Sequence, residues 1–385
     1  MPLHWKAIGS GPAILLGVLA ACGGGGQPAG PSGVSQPPAD ASPGTGDPNV
    51  TTPALTEAGG ASGDAGSNAA SPEPGDSGPS GVTTLVDGLT NPTYLVSDGV
   101  NVYFTTYDTT TMNDVVMRVT SDGSALSTLA TGQGIAGGLA LYQGTLYWTN
   151  GIGAGGGSVM SVGVDGGGLT TIATGQTYPV GPAVDGTGIY WSQDVADSGT
   201  VMSAPFDGGP PSVLVAQQNW PNALATSPMG LFWMTLDGIE WQAAPFDGGA
   251  PTQLGSASGS NNGAIAVDST GVYSLQQCVV FRSPFDGGAA APLTGLLVLG
   301  GPCVVDGTTF AVDSSGVYWP LMFGMNGALN SGSVLGAPLF DSTAQPDTIA
   351  SAQKAPNNVA VDEWYVYWTN HGVNGEAGQV MRANK

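Results

Sequence analysis

An aromatic landmark recurs seven times along the last three hundred or so residues: Tyr103-Phe104, Tyr147-Trp148, Tyr190-Trp191, Phe232-Trp233, Tyr273-Ser274, Tyr318-Trp319 and Tyr367-Trp368. Successive copies lie 44, 43, 42, 41, 45 and 49 residues apart. A period of this length built from strand-like units predicts an all-β, seven-bladed β-propeller with four strands to a blade. The composition agrees. Only 9 % of residues are charged, against about 25 % in an average soluble protein. The 64 glycines and 29 prolines argue against long helices and for many turns.

The N-terminus has a different character. His4 and Lys6 form a weak basic region, Pro12 to Ala21 a short apolar stretch, and Leu19-Ala20-Ala21-Cys22-Gly23 closes it. The apolar run is too short to span a bilayer as a helix. The closing residues resemble the lipobox of bacterial lipoproteins, and the resemblance implies that residues 1–21 are a signal peptide and that Cys22 is lipidated. Gly23 rather than Asp after that cysteine implies the outer membrane by the same family's sorting rule. The alternative is an ordinary cleaved signal with a free Cys22. Residues 22–81 read as the lipidated cysteine followed by a linker of Gly, Ala, Pro, Ser, Thr and acids, with no aromatic residue. Such a segment cannot bury enough apolar surface to offset its ordering entropy, so a disordered tether is expected. Its root-mean-square reach would be about 45 Å.

Residues 82–385 carry the repeat. In the unit 182–216, Pro182-Ala183-Val184-Asp185 reads as a first strand, Ile189-Tyr190-Trp191-Ser192 as a second, 200–206 as a third and Ser212-Val213-Leu214-Val215 as an outer fourth. Asp-Gly between the third and fourth is a hairpin signal, because both residues tolerate positive φ; it recurs at Asp122, Asp165, Asp247 and Asp286. The last unit stops on its third strand, at Val380-Met381-Arg382. Thr83-Thr84-Leu85-Val86 matches the fourth-strand sequence Thr170-Thr171-Ile172-Ala173. The N-terminal segment is therefore expected to complete the seventh blade and close the ring, which also removes exposed sheet edges. Tyr147-Trp148-Thr149-Asn150, Tyr367-Trp368-Thr369-Asn370 and the Ala-Val-Asp triplets ending at Asp185, Asp268, Asp313 and Asp362 resemble the YWTD repeat of lipoprotein-receptor propellers. The likeness is shared loosely by TolB-like and NHL-like propellers of bacteria. Two features depart from the YWTD pattern. That family usually has six blades, the alternative count here, and its final Asp is Asn, Gln, Thr or Leu in this chain.

In a propeller of this strand order, the loops joining second to third strands share one face with the connections between blades. Their lengths vary: long at 320–331, 369–378, 105–114, 149–158 and 192–199, short at 235–238 and 275–277. Function usually resides on such a face. Its candidate contact residues are Tyr107, Tyr178, Trp220, Met322, Phe323, Met325, Asn326, Asn370 and His371; the alternative is that they fold back over the core. Cys278 and Cys303 fall in neighbouring loops of the same face and are expected to form a disulfide, worth about 3 kcal/mol for the loop they close.

Most chemistries find no support. The propeller holds one histidine and no Gly-x-Ser-x-Gly elbow for a catalytic triad, so no catalytic residue is assigned. No His-rich metal site and no phosphate-cradling loop is present. From residue 82 onward the charge balance is −17, which excludes nucleic acid as a partner. Calcium is a possible ligand of so acidic a surface, but the recurring acids Asp165, Asp185, Asp207, Asp247, Asp268, Asp286 and Asp313 sit at turns, where Asp caps its own backbone. No cofactor is expected. The leading expectation is a lipid-anchored protein of the bacterial envelope, touching the membrane through its anchor only and binding an envelope or extracellular protein or glycan without catalysis. The rivals are a divalent-metal-dependent hydrolase, lactonase or lyase and a purely structural envelope component.

Overall fold

The structure is a computed structural model that describes residues 81–385, except 152–155, 207, 236–237, 244–250, 257–264, 277–278, 287, 294–309, 322–331, 340–344 and 373–375. The calls made above on residues 1–80, among them Cys22, lie outside the described residues. Among the described residues, 28 strands form seven four-stranded antiparallel sheets. Six sheets are consecutive in sequence, spanning 95–133, 136–176, 179–218, 222–256, 265–292 and 311–353; these are blades 1 to 6. The seventh combines Pro356–Val361, Tyr365–Asn370 and Gly378–Asn384 with Thr83–Leu89 at its outer edge. Thr83 lies opposite Arg382, Thr84 opposite Met381 and Val86 opposite Val380. The ends of the domain therefore pair as the repeat predicted, and the blades number seven.

Neighbouring residues of a strand point to opposite faces of the sheet, and this is why the landmark is a dipeptide. In each blade the first aromatic packs against the following blade and the second against the preceding one. Tyr103, Val116 and Ala130 of blade 1 share one buried cluster with Leu146, Trp148 and Val162 of blade 2. Tyr147 meets Trp191 in the next cluster, and Tyr190 meets Trp233 in the one after that. Tyr273 meets Trp319, and Tyr318 meets Trp368. Tyr367 closes the circle by packing with Phe104, Leu85 and Val86. Blade 5 has Ser274 in place of the second aromatic. There Phe285, on the hairpin of the same blade, packs at a tilt against Phe232 with centroids 5.4 Å apart, as Phe206 of blade 3 packs against Tyr147.

The acids after the first strands behave as turn caps. Asp185 accepts from the Thr187 amide at 2.8 Å, Asp268 from Thr270 at 2.6 Å and Asp313 from Ser315 at 2.8 Å. In the hairpins, Asp165 accepts from Gly167 at 2.8 Å and Asp286 from Gly288 at 2.9 Å; Asp207 and Asp247 lie outside the described residues. The landmark tyrosines complete the motif by donating their hydroxyls back to the same carboxylates: Tyr103 to Asp98 at 2.7 Å, Tyr273 to Asp268 at 3.0 Å and Tyr367 to Asp362 at 2.6 Å. Burial pushes the Tyr190 phenol up to about 12, and Tyr103 and Tyr367 are raised likewise by burial and the adjacent carboxylate. They stay protonated and able to donate.

A second device links the blades. Gln176, the last residue of blade 2's outer strand, accepts from the indole N–H of Trp191 at 3.0 Å. Gln218 does the same for Trp233 at 2.9 Å and Gln353 for Trp368 at 3.0 Å. Each glutamine is oriented by donating to a carbonyl two residues earlier: Thr174 at 3.0 Å, Ala216 at 3.3 Å and Ser351 at 2.9 Å. The residue between donor and acceptor takes positive φ: Gly175, Gln217 and Ala352. At the ring closure the indole is replaced by Phe104, and Leu89 stands where blades 1, 2, 3 and 6 place glutamine.

Trp191→Ala is expected to cost about 3–5 kcal/mol, the usual range for emptying an aromatic core site. Gln176→Leu is expected to cost about 1–3 kcal/mol by orphaning a buried indole N–H. Urea denaturation of the full chain measures both.

Candidate functional site

The variable face is built on connections that leave little freedom. A proline starts the inner strand of four blades, and the residue before each adopts positive φ: Asn91, Tyr178, Trp220 and Ala355. The ring of that proline seats on a glycine that starts the third strand of the preceding blade. A Cβ on Gly157 would lie 2.4 Å from Pro179 Cδ, on Gly199 2.3 Å from Pro221 Cδ, and on Gly378 2.3 Å from Pro92 Cδ. No other residue type fits there, so blade and connection are locked together. Of the four residues before these prolines, Asn91, Tyr178 and Trp220 are exposed and Ala355 is buried.

In two adjacent connections that residue is aromatic. Tyr178 is 47 % exposed and Trp220 is 43 % exposed. The loop of blade 3 runs between them and is bonded to both: the Asp194 amide donates to Tyr178 O at 3.0 Å, and the Trp220 amide donates to Val195 O at 3.1 Å. The loop 192–199 is thus fastened through the backbone of Asp194 to one aromatic connection and through that of Val195 to the other. The Asp194 carboxylate, half-buried, accepts no hydrogen bond among the described residues, and burial alone pushes it up to about 6.

Asp114 is a useful contrast. Burial also raises it to about 6, but its carboxylate accepts from the Ala136 amide at 2.7 Å and so ties blade 1 to the first strand of blade 2. Asp114 has a structural task; Asp194 has none within the molecule.

The other expected rim residues distribute differently. Asn370 is 2 % exposed and donates to Gln353 at 3.0 Å, so it belongs to the link between blades 6 and 7 and is removed from the rim. His371 is half-buried, with Nε2 at 2.6 Å from Asn357 Nδ2. Tyr107 is not on a long loop. The strands of blade 1 continue to Asp108 and resume at Asn113, because Thr105, Thr106, Tyr107, Val115 and Val116 are β-branched or aromatic residues that favour extension. Asp108 caps the tight turn by accepting from the Thr110 amide at 2.8 Å. Met322, Phe323, Met325 and Asn326, and the pair Cys278 and Cys303, lie outside the described residues. The short connections of blades 4 and 5 hold: their second strands end at Thr235 and Gln276, and the third strands begin at Gly238 and Val279.

The inner strands also differ from expectation. In blades 2, 3 and 4 their backbones meet. A Cβ on Gly137 would lie 2.7 Å from Pro179 O, and one on Gly181 3.0 Å from the Ala223 amide. Blade 7 instead brings polar side chains to this level. Asn357 and Asn358 are buried, Asn357 Oδ1 has no partner, and Thr369 accepts from the Asn358 amide at 3.3 Å while donating to Thr93 O at 3.0 Å. The sequence reading placed the first strand at the Ala-Val-Asp triplet, and so left the preceding Pro356-Asn357-Asn358 outside it. The proline itself was the available signal, since it recurs at the same distance before blades 3, 4 and 7. Among the described residues, no three His, Cys, Asp or Glu side chains converge as a metal site. A shallow groove of about 730 Å³ on the opposite, hairpin face is lined by Tyr142, Asp185, Tyr190, Pro205, Leu214 and Pro228; that face is less uniform than its short turns suggest.

No family model and no curated protein matches the chain. Solved structures do. RRP9 WD40 repeats are similar at 12 % identity and a TM-score of 0.56, covering 79 % of this chain and 97 % of that one. A Mycobacterium tuberculosis puromycin-hydrolyzing peptidase is similar at 13 % identity and a TM-score of 0.55, covering 78 % of this chain and 51 % of that one. An oligogalacturonate lyase in complex with manganese is similar at 11 % identity and a TM-score of 0.53, covering 79 % and 93 %. At these identities the likeness is one of fold, the β-propeller, which serves enzymes and non-enzymes alike.

Asp194 has a thermodynamic signature. Its folded value of about 6 exceeds the roughly 3.9 of an aspartate in an unfolded chain. Between those values the folded state binds more protons, so this group's contribution to stability falls as pH rises from about 4 to about 6. Asp194→Asn is expected to raise the melting midpoint at about pH 7 and to leave it unchanged near pH 4; differential scanning calorimetry at the two pH values checks this.

Proposed function

We propose that this chain is a lipid-anchored protein of the bacterial cell envelope, held in the outer membrane through Cys22, whose propeller binds an envelope or extracellular protein or glycan without catalysis. The binding face is the one formed by the connections between blades and the second-to-third strand loops. The observation that carries this reading is the pair Tyr178 and Trp220. Large apolar rings are costly to leave in water, and these two are exposed on connections whose backbones are fixed by the Pro–Gly contacts. Exposed aromatics on a rigid scaffold supply contact area at small entropic cost, which is the usual make-up of a binding hot spot. The anchor rests on Leu19-Ala20-Ala21-Cys22-Gly23, and the 59 residues from 23 to 81, poor in apolar side chains, would hold the propeller away from the membrane surface.

Two measurements test the reading. Affinity capture from an envelope extract, with the full chain as bait, is expected to lose its partner by about thirtyfold or more in Tyr178→Ala and Trp220→Ala, the effect of removing a hot-spot residue. Capture unchanged in both variants removes this face from consideration. Cys22→Ser is expected to shift the protein from the membrane to the soluble fraction and to abolish labelling by a radioactive fatty acid; a variant that stays membrane-bound and labelled refutes the anchor.

A further inference from the structure

All five basic residues of the propeller are committed. Arg118 donates to Val164 O at 2.8 Å and Arg382 to Ser121 O at 2.6 Å, each binding a third strand to the hairpin of the next blade. Arg282 donates to Thr270 O. Lys354 pairs with Glu376 at 2.6 Å, and Lys385 pairs with Asp313. Four of them point to the hairpin face, where they serve the ring. The variable face around blade 3 is left with Asp194 and Asp197 and no cation, and no nearby charge of either sign acts on Asp194. The molecule keeps a half-buried carboxylate there without a hydrogen bond, at a place where two aromatic rings face outward.

We propose that Tyr178, Asp194 and Trp220 form a receptor for a single basic side chain, the lysine or arginine of a partner protein. The proposal rests on the binding role of this face and specifies what it binds. A guanidinium or ammonium group brought to the blade 3 loop would supply the missing counter-charge of Asp194 and lie against the electron-rich faces of Tyr178 or Trp220. Cation–π contact is strongest with tryptophan, and a charge-assisted hydrogen bond to a desolvated carboxylate is stronger than a neutral one. A neutral sugar could stack on the rings but would leave the carboxylate without its counter-charge. An acidic ligand would be repelled. Charge complementarity therefore selects a basic protein segment over a glycan.

The probe is a short capped peptide alternating glycine with arginine and lysine, titrated into the full chain and followed by calorimetry and by tryptophan fluorescence. Its counterpart with glutamate and a neutral oligosaccharide serve as comparisons. The basic peptide is expected to bind saturably and the other two not at all. Asp194→Asn is expected to weaken binding tenfold or more, and Trp220→Ala about fivefold. Glu363→Gln, an exposed acid on the hairpin face, is expected to leave binding unchanged. Equal loss in Glu363→Gln and Asp194→Asn would mean attraction to the net negative charge at large, and would overturn the proposal. So would binding of the neutral or acidic probe as tightly as the basic one. If the basic peptide fails while Trp220→Ala still abolishes capture of the natural partner, the cation receptor is wrong and the binding face stands. If Tyr178→Ala and Trp220→Ala leave both intact, the face falls with it.

Discussion

The ring depends on the alternation of a strand. Two adjacent aromatic residues on one strand point to opposite faces, so a single dipeptide gives every blade a ring for each of its neighbours. Trp148, Trp191, Trp233, Trp319 and Trp368 are fully buried, and each packs in a cluster with residues of the preceding blade. Flat sheets cannot hide both faces alone; stacking them radially hides both, provided the circle closes. Closure is supplied by Thr83–Leu89 on the last blade and by Arg382, whose guanidinium lies 4.2 Å from the centre of the Tyr365 ring and bonds to Ser121 in blade 1. Contacts nearly three hundred residues apart in sequence thus have the same form as contacts between consecutive blades.

Burying an indole commits its N–H to finding an acceptor, and the exceptions to the glutamine link follow from that requirement. Where the second aromatic is Phe104 there is no N–H, and the corresponding residue of the closing strand is Leu89. Where it is Trp148 the expected partner, Gln133, accepts from Asn150 at 3.3 Å instead, and the indole nitrogen is left without a partner. The interface between blades 1 and 2 is compensated elsewhere, by Asp114 accepting from the Ala136 amide and by Arg118 reaching Val164 O. The Trp319 indole nitrogen likewise has no partner among the described residues, so the glutamine link serves three interfaces and the others are held by packing and other bonds.

Period, hairpin turns and ring closure were legible in the sequence because each depends on local chemistry: aromatic spacing, Asp-Gly pairs, and the match between residues 83–86 and 170–173. The glutamine link was not, since Gln176 and Trp191 are fifteen residues apart and nothing local marks a glutamine as an acceptor. The rim was legible only in part. Tyr178 and Trp220 could be chosen because they are aromatics on connections of the variable face. Asn370 could not be told from them, since in sequence it ends a second strand much as Tyr107 or Gln193 does. Its burial follows from the neighbouring blade, where Gln353 takes its amide. Asp194 carried no sequence signal at all: its distinction is the lack of a partner, which only the fold reveals.

That lack is the strongest argument about where this propeller acts. Its other perturbed acids are accounted for by the bonds they make: Asp122 is lowered by the Thr120 hydroxyl and the Ser124 amide, Asp313 by Lys385 and Ser315, and Asp114 is raised but fastened to blade 2. Asp194 is raised by burial with no compensating bond, which lowers stability at neutral pH. A neutral or apolar residue would serve the fold better there. The connections before Pro179 and Pro221, like those before Pro92 and Pro356, contain a residue of positive φ, and here that residue is an exposed aromatic. A carboxylate without a hydrogen-bond partner among the described residues and two exposed rings thus lie on the blade 3 loop and the two connections bonded to it. Stability given up at so few neighbouring positions, with all else consistent, is what a recognition site requires of the scaffold that carries it.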